Sequence, residues 1–263
     1  MQRGFWLVAR CLVAGCLFGC GGADPLDDAG AGVDSGLVSD VDAGPVPDAG
    51  PAPDAGPPVS CDTPEMHTGE GTYYDFADGS GNCGFPATPD DLRVAAMNQT
   101  DYAGSAACGT CARITGPTGS VTVRVVDRCP ECAPGDIDLS PSAFDEIAER
   151  SAGRVPIAWT YVPCDVAGGL VYHFKDGSNP WWTGVQVRNH RHAIVRFEVA
   201  DDTGAFREVP RLNYNYFVDD GGMGEGPFTF RVTDVYGNVA TDTGIPLLDD
   251  ADAPGVAQFP ECE

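Results

Sequence analysis

The stretch Val125-Val-Asp-Arg-Cys-Pro-Glu-Cys-Ala-Pro-Gly-Asp-Ile-Asp-Leu-Ser-Pro-Ser-Ala-Phe144 decides how this chain folds. It follows a β-branched run, Val121–Val126, that reads as a strand ending at Asp127. A Cys/Pro/Gly loop interrupts it, and extended chain resumes at Asp136-Ile-Asp-Leu139. Ser140-Pro141 then starts a helix expected to reach Arg150, because Ser is a favoured N-cap and Pro suits the first helical position. Phe144, Ile147 and Ala148 recur at helical spacing. Asp127 and Asp138 thus stand at strand ends on either side of a tight loop. Two carboxylates so placed form a polar site on a rigid frame rather than part of a core.

Outward from this stretch the punctuation is that of an all-β protein. Short strand-like runs at Gly71–Phe76, Arg93–Met97, Cys111–Thr115, Val121–Val126, Ile137–Leu139 and Ile157–Val162 are separated by Gly, Pro, Asn and Asp, the pattern of a small β-barrel. Further on, Leu170–Lys175, Gly184–Arg188, Ile194–Val199, Phe228–Thr233 and Val239–Thr241 alternate with period two, as in an antiparallel β-sandwich. The barrel is assigned to residues 61–166 and the sandwich to 167–263. The joint, Asp165–Gly168, is short enough to favour a packed pair with limited freedom.

Ahead of them, residues 1–20 read as a secretory signal: Arg3 and Arg10, then an apolar run too short to span a bilayer. Leu17-Phe-Gly-Cys20 is like a bacterial lipobox and would make Cys20 the lipidated first residue of the mature chain; Cys16 is the other candidate. Residues 21–60 repeat Val/Ala-Pro-Asp-Ala-Gly-Pro with almost no large apolar residue, and are expected to form a disordered tether. Its reach lies between roughly 35 Å as a coil and roughly 120 Å extended. The expected location is the cell surface, as an outer-membrane lipoprotein, or the extracellular space, with membrane contact only through the lipid.

The 263 residues carry a formal net charge of −24, and Asp24–Asp54 alone holds eight Asp and no Lys or Arg. That balance excludes nucleic acid as a partner and disfavours polyanions such as pectin. Eight cysteines remain beyond the leader, an even number, which reads as disulfides in an oxidising compartment. The set Cys108-x-x-Cys111 and Cys129-x-x-Cys132 has zinc-like spacing, but the same compartment argues for disulfides; no metal or cofactor is expected. His190 and His192, on a polar strand, read as a solvated face.

Two features point to sugar. Asp127 and Asp138 have the makings of a glycosidase acid and base, which inversion needs roughly 6.5–9.5 Å apart; alternatively one carboxylate only orients the other. Trp181-Trp182 follows a turn, Asp176–Pro180; neighbours on a strand point to opposite faces, so at least one ring should be exposed. Tyr214 and Tyr216 are expected on one strand face, extending such a platform.

With these residues quoted, the chain resembles the bacterial expansins. The resemblance covers nearly all of residues 69–262 and is carried by Gly71-Thr-Tyr-Tyr74, Asp127 with Asp136-Ile-Asp-Leu-Ser-Pro-Ser-Ala-Phe144, Trp181-Trp-Thr-Gly-Val-Gln-Val-Arg-Asn-His190, Leu212-Asn-Tyr-Asn-Tyr-Phe217 and Val256-Ala-Gln-Phe-Pro260. It implies a six-stranded double-psi β-barrel followed by an immunoglobulin-like sandwich that binds cellulose. It implies that Asp138 is the key acid of the groove beside Thr72 and Asp127, and that Trp181, Trp182 and Tyr214 line up for crystalline glucan with Lys175 at their flank; Tyr73 is a further candidate for substrate binding. It implies loosening of walls without hydrolysis, by a monomer. Related inverting glucanases carry a second Asp as base, for which only Asp75 and Asp78 offer themselves here. Cys129 stands where relatives often place an aromatic. By analogy with plant expansins and barwin, Cys83 pairs with Cys108 and Cys111 with Cys164; by exclusion Cys129 pairs with Cys132 and Cys61 with Cys262. Three functions follow as expectations: a non-hydrolytic loosener of cellulose or another β-glucan; a weak β-1,4-glucanase or peptidoglycan lytic transglycosylase on the same barrel; and a carbohydrate-binding adhesin with an idle groove.

Overall fold

The computed structural model describes residues 65–75 and 77–262. The leader, Cys20, the tether and Cys61 lie outside them. Strands β1 (His67–Tyr73), β2 (Val94–Asn98), β3 (Cys111–Thr115), β4 (Ser120–Cys129), β5 (Ile137–Leu139) and β6 (Val155–Val162) close into a barrel in the order β1-β5-β2-β4-β3-β6. Six strands were expected and six are found, each within a few residues of its place. The interior is apolar, with Val94, Val123, Val125, Ile114, Leu139 and Trp159 all but inaccessible. Trp159 keeps its indole N–H satisfied by donating to the Gly135 carbonyl at 2.8 Å, so a large amphipathic ring is buried without an orphaned donor.

Two local expectations are corrected. Strand β4 does not end at Asp127 but runs to Cys129. Its register against β2 slips once, Ala95 facing Val125 and Ala96 facing Asp127, so Val126 is a bulge. Val125 and Val126 are therefore both buried, and the alternation is reset just before Asp127. The helix capped by Ser140 is real but short, α2 (Pro141–Asp145), following a four-residue turn of helix α1 (Gln99–Tyr102) that had no apolar periodicity to announce it. Ile147 and Ala148 are still buried, so the apolar spacing was a core signal that outlasted the helix.

The second half contains β7 (Val171–Phe174), β8 (Thr183–Arg188), β9 (Ile194–Ala200), β10 (Phe206–Glu208), β11 (Phe217–Asp219), β12 (Phe228–Asp234), β13 (Val239–Ile245) and β14 (Ala251–Pro254). They form two four-stranded sheets, β10-β9-β12-β13 and β11-β8-β7-β14. Tyr172, Phe174, Phe197 and Phe230 fill the space between them. Barrel and sandwich lie in one compact unit.

The barrel docks on the outer face of the β11-β8-β7-β14 sheet. Val185 and Val187 point inward, so Gly184, Gln186 and Arg188 share the outer face. Gln186 is wholly buried there and donates to the Cys83 carbonyl at 2.8 Å. Tyr102 donates to the Asn213 carbonyl at 3.1 Å and Ser105 to the Leu212 carbonyl at 2.8 Å. Arg211 returns the contact, donating to the Ser105 carbonyl at 3.0 Å, and burial lowers its pKa to about 10. His190 and His192 are the clearest reversal of the sequence reading. Both are buried. His192 holds Asp234 at 2.7 Å, and His190 packs against Gly109, where an added Cβ would come within 2.5 Å of its ring and where φ is +76°. Burial, helped by the nearby Arg211 and Arg124 charges, pushes the His190 pKa down to about 4. The two lie in the turn between β8 and β9, where the barrel covers His190 and the sandwich's own Asp234, Tyr236 and Phe259 cover His192.

Disulfides join Cys83 to Cys108, Cys111 to Cys164 and Cys129 to Cys132. The zinc-like set is thereby consumed, leaving no thiolate among its four cysteines. Cys262 is also disulfide-bonded; its expected partner, Cys61, lies outside the described residues.

Candidate functional site: an acidic groove beside an aromatic strip

Strand pairing assembles the groove. Thr72 on β1 faces Asp138 on β5, Asp138 faces Ala96 on β2, and Ala96 faces Asp127 on β4. Four residues distant in sequence thus form one row. Only Ala96, a small side chain, separates the two aspartates, whose Cα atoms lie roughly 10 Å apart by two inter-strand steps. The bulge at Val126 is what brings Asp127 level with Asp138.

The two carboxylates live differently. Asp138 is half-buried, and burial raises its pKa, the Glu131 and Asp127 charges adding to the effect while a hydrogen bond from the Thr72 hydroxyl at 2.5 Å opposes it. Asp127 accepts backbone N–H groups from Asn82 at 2.7 Å and Arg128 at 2.8 Å, so one of its oxygens anchors the loop that crosses the barrel mouth. It does not orient Asp138 by a direct bond. Tyr74, two residues beyond Thr72, stands among Asp127, Asp138 and Asp78; its hydroxyl is inaccessible and unpartnered, and burial with those negative charges raises its pKa. It is a held donor aimed into acidic surroundings. Tyr73 turns the other way and packs on Phe144.

Sequence reading missed two groove residues. Tyr74 was quoted only as part of a motif, although its i+2 spacing from Thr72 put it on the same strand face. Glu131 was not considered as a partner of Asp138; the Cys129–Cys132 disulfide ties the short loop that carries it. Asp75 and Asp78, the acids that were considered, are exposed, and Asp78 accepts from Ser80. Cys129 is buried in its disulfide and presents no ring to the groove.

The aromatic strip is set by a turn. Asn179 Oδ1 accepts the backbone N–H of Trp181 at 2.9 Å and of Trp182 at 3.1 Å, holding both at the tip. Trp181 is 75% exposed; Trp182 is half-buried against Gly184. Gly222, at φ +77°, lets a neighbouring loop approach the Pro180–Trp181 backbone so closely that a Cβ would meet it at 2.1 Å. Tyr214 is exposed as expected, but Tyr216 is not: Leu212–Tyr216 is a tight turn, with Asn215 at φ +64°, rather than a strand. Tyr216 is buried beneath the strip, its ring 5.9 Å from the Lys175 ammonium.

Strip and groove are wired together. Asn82 gives its backbone N–H to Asp127 and its side-chain amide to the Asn213 carbonyl at 2.9 Å, next to Tyr214. The fold and this site define a double-psi barrel protein with an acidic groove, joined to a β-sandwich bearing an exposed aromatic strip. A family model described as "Lytic transglycolase", for the double-psi barrel, matches residues 67–159. Expansin-YoaJ of Bacillus subtilis is 35% identical over 207 residues, 75% of this chain and 88% of that protein. Expansin-like protein 2 of Dictyostelium discoideum is 33% identical over 218 residues, 76% of this chain and 52% of that protein. The solved expansin of Clavibacter michiganensis superposes with a TM-score of 0.70 at 33% identity, over 74% of this chain and 98% of that one; a variant of it has been solved in complex with cellohexaose with the same score. The chain belongs to the expansin family.

Proposed function

We propose that this expansin binds cellulose or another β-glucan and separates its strands without hydrolysing them, from a position tethered to the outer cell surface through Cys20. Support comes from the hydrogen-bonded path from Asp127 through Asn82 to Asn213, beside Tyr214, which sets groove and strip at a fixed spacing. Cellohexaose in the Clavibacter relative supports the ligand class. Trp181, Trp182 and Tyr214 would stack on sugar rings, at about 0.5–1.5 kcal/mol each by analogy with aromatic pairs. Asp138, its pKa raised by burial, would in its protonated form donate to a glycosidic or hydroxyl oxygen. One oxygen of Asp127 is taken up by its loop, accepting two backbone N–H groups. Asp138→Ala should abolish the extension of cellulosic strips under load while leaving cellulose binding intact; loosening retained by that variant would sink the reading. Since the donor form is lost as pH rises through the raised pKa, wild-type loosening should decline with rising pH, and Asp138→Asn, a donor at every pH, should flatten that profile.

One second reading is weak glucanase or peptidoglycan lytic activity, with the exposed Glu131, whose charge adds to the raised pKa of Asp138, as the candidate second acid. It predicts reducing ends or anhydro sugars in the supernatant, lost in Glu131→Gln.

A further inference from the structure

A second concavity lies between barrel and sandwich, about 600 Å³ in volume and sharing no residue with the groove or the exposed aromatic strip. Phe85, Pro86, Val166 and Val171 give it apolar walls, and it is of a size that holds one or two sugar rings. Three guanidinium groups line it, although the chain has 15 basic residues against 39 acidic ones. Two are engaged: Arg93 pairs with Glu146 at 2.9 Å and Arg188 with Asp252 at 3.0 Å. Arg124 is not. Among the described residues it has no carboxylate within ion-pair distance, its Nε is inaccessible and unpartnered, and its side-chain hydrogen bond is a long one, 3.4 Å to the Thr88 hydroxyl. Its charge centre lies over the Phe85 ring, 5.4 Å from the centroid. A half-buried guanidinium without a direct ion pair is costly, and a planar carboxylate accepting from its two Nη groups would relieve it. Burial lowers the Arg124 pKa, opposed in part by the Asp91 charge, and the Arg124 field also reaches the neutral His190.

The acids nearby limit what can enter. Asp91 and Asp165 also line the cleft, and Asp252 is held by Arg188 and by His173 at 2.7 Å. Together with a net charge of −24 they would repel a polyanion, whereas a single carboxylate on a neutral chain meets Arg124 at short range without carrying charge along the whole surface. We propose that this cleft binds the carboxylate of an isolated uronate substituent on an otherwise neutral glycan. The site is separate from the groove and the strip and does not depend on their proposed role.

The test is a titration of the full chain at low salt with two ligands: a xylo-oligosaccharide carrying one glucuronate, and the same oligosaccharide with that carboxyl reduced to the alcohol. The uronate form should bind about tenfold more tightly, the value of one good charge-assisted contact, and added salt should erode the difference. In the wild type its amide perturbations should centre on Thr88, Asp91 and Thr122. Arg124→Gln should abolish the preference and leave cellohexaose binding unchanged. Equal affinities, or perturbations confined to Thr72, Trp181 and Tyr214, would overturn the assignment. So would inorganic sulfate, an oligogalacturonide or an acidic peptide binding as tightly as the single uronate. Should Trp181→Ala fail to weaken cellulose binding, the role of the strip falls while the uronate preference stands.

Discussion

The barrel carries a row of acids and the sandwich a strip of aromatics, and the two are built in opposite ways. The groove is made by register: Thr72, Asp138, Ala96 and Asp127 are placed by four strands of a closed barrel, and a bulge brings Asp127 into line. The strip is made by turns: Asn179 holds Trp181 and Trp182, and the Leu212–Tyr216 turn lifts Tyr214 above a buried Tyr216. Register places a group rigidly, because it cannot move without breaking a ladder. A turn lets large rings protrude but relies on a few local bonds. A carboxyl that must stand at one point is thus held by the barrel, and rings that must protrude by the sandwich; the proposed roles divide in the same way.

The largest test of that division removes the rings. Trp181→Ala with Trp182→Ala should weaken cellulose binding by about tenfold to a hundredfold, from two stacking contacts of about 0.5–1.5 kcal/mol each, with the melting temperature nearly unchanged; co-sedimentation and calorimetry measure both. An equal loss from Asp138→Ala would break the division. A second test attacks the joint. His190 is neutral and buried, so the unfolded chain takes up a proton from about pH 6.5 downward while the folded one resists to about pH 4. Stability should therefore fall as pH drops through that window, and calorimetry across it should show Gly109→Ala, which crowds His190, already destabilised at neutral pH. A smaller effect is expected from Asn179→Ala. Losing the acceptor for two N–H groups should cost about 1–2 kcal/mol of local order, seen as a few-fold drop in cellulose affinity with the groove's pH profile unaltered.

Much of this was legible before any coordinates. The six barrel strands followed from β-branched runs between Gly and Pro, and the Ser140 cap from Ser-Pro chemistry. Trp181 and Trp182 were legible because adjacent residues cannot both hide on one face. Other features had no local signature. His190 and His192 look solvent-facing in a window of ten residues; His190 is covered by Gly109 of the barrel, some eighty residues earlier, and His192 by Asp234, Tyr236 and Phe259 of the sandwich. Tyr216 looked like the equal of Tyr214 because period two assumes a strand, and Asn215 in the left-handed region breaks that assumption. Glu131 gains its relation to Asp138 only when the disulfide loop folds beside β5.

Residue chemistry alone determined which elements form, since propensity, capping and alternation act over a few neighbours. It also determined the balance of acids and aromatics that points to a neutral polysaccharide. Tertiary structure decided which of those groups meet. The alignment of Asp127 with Asp138, the engagement of Asp127 by Asn82, the isolation of Arg124 and the burial of His190 all depend on contacts between residues far apart in the chain. Pairing and docking energies of that kind are properties of the closed barrel and its packed sandwich, and no short stretch of sequence carries them.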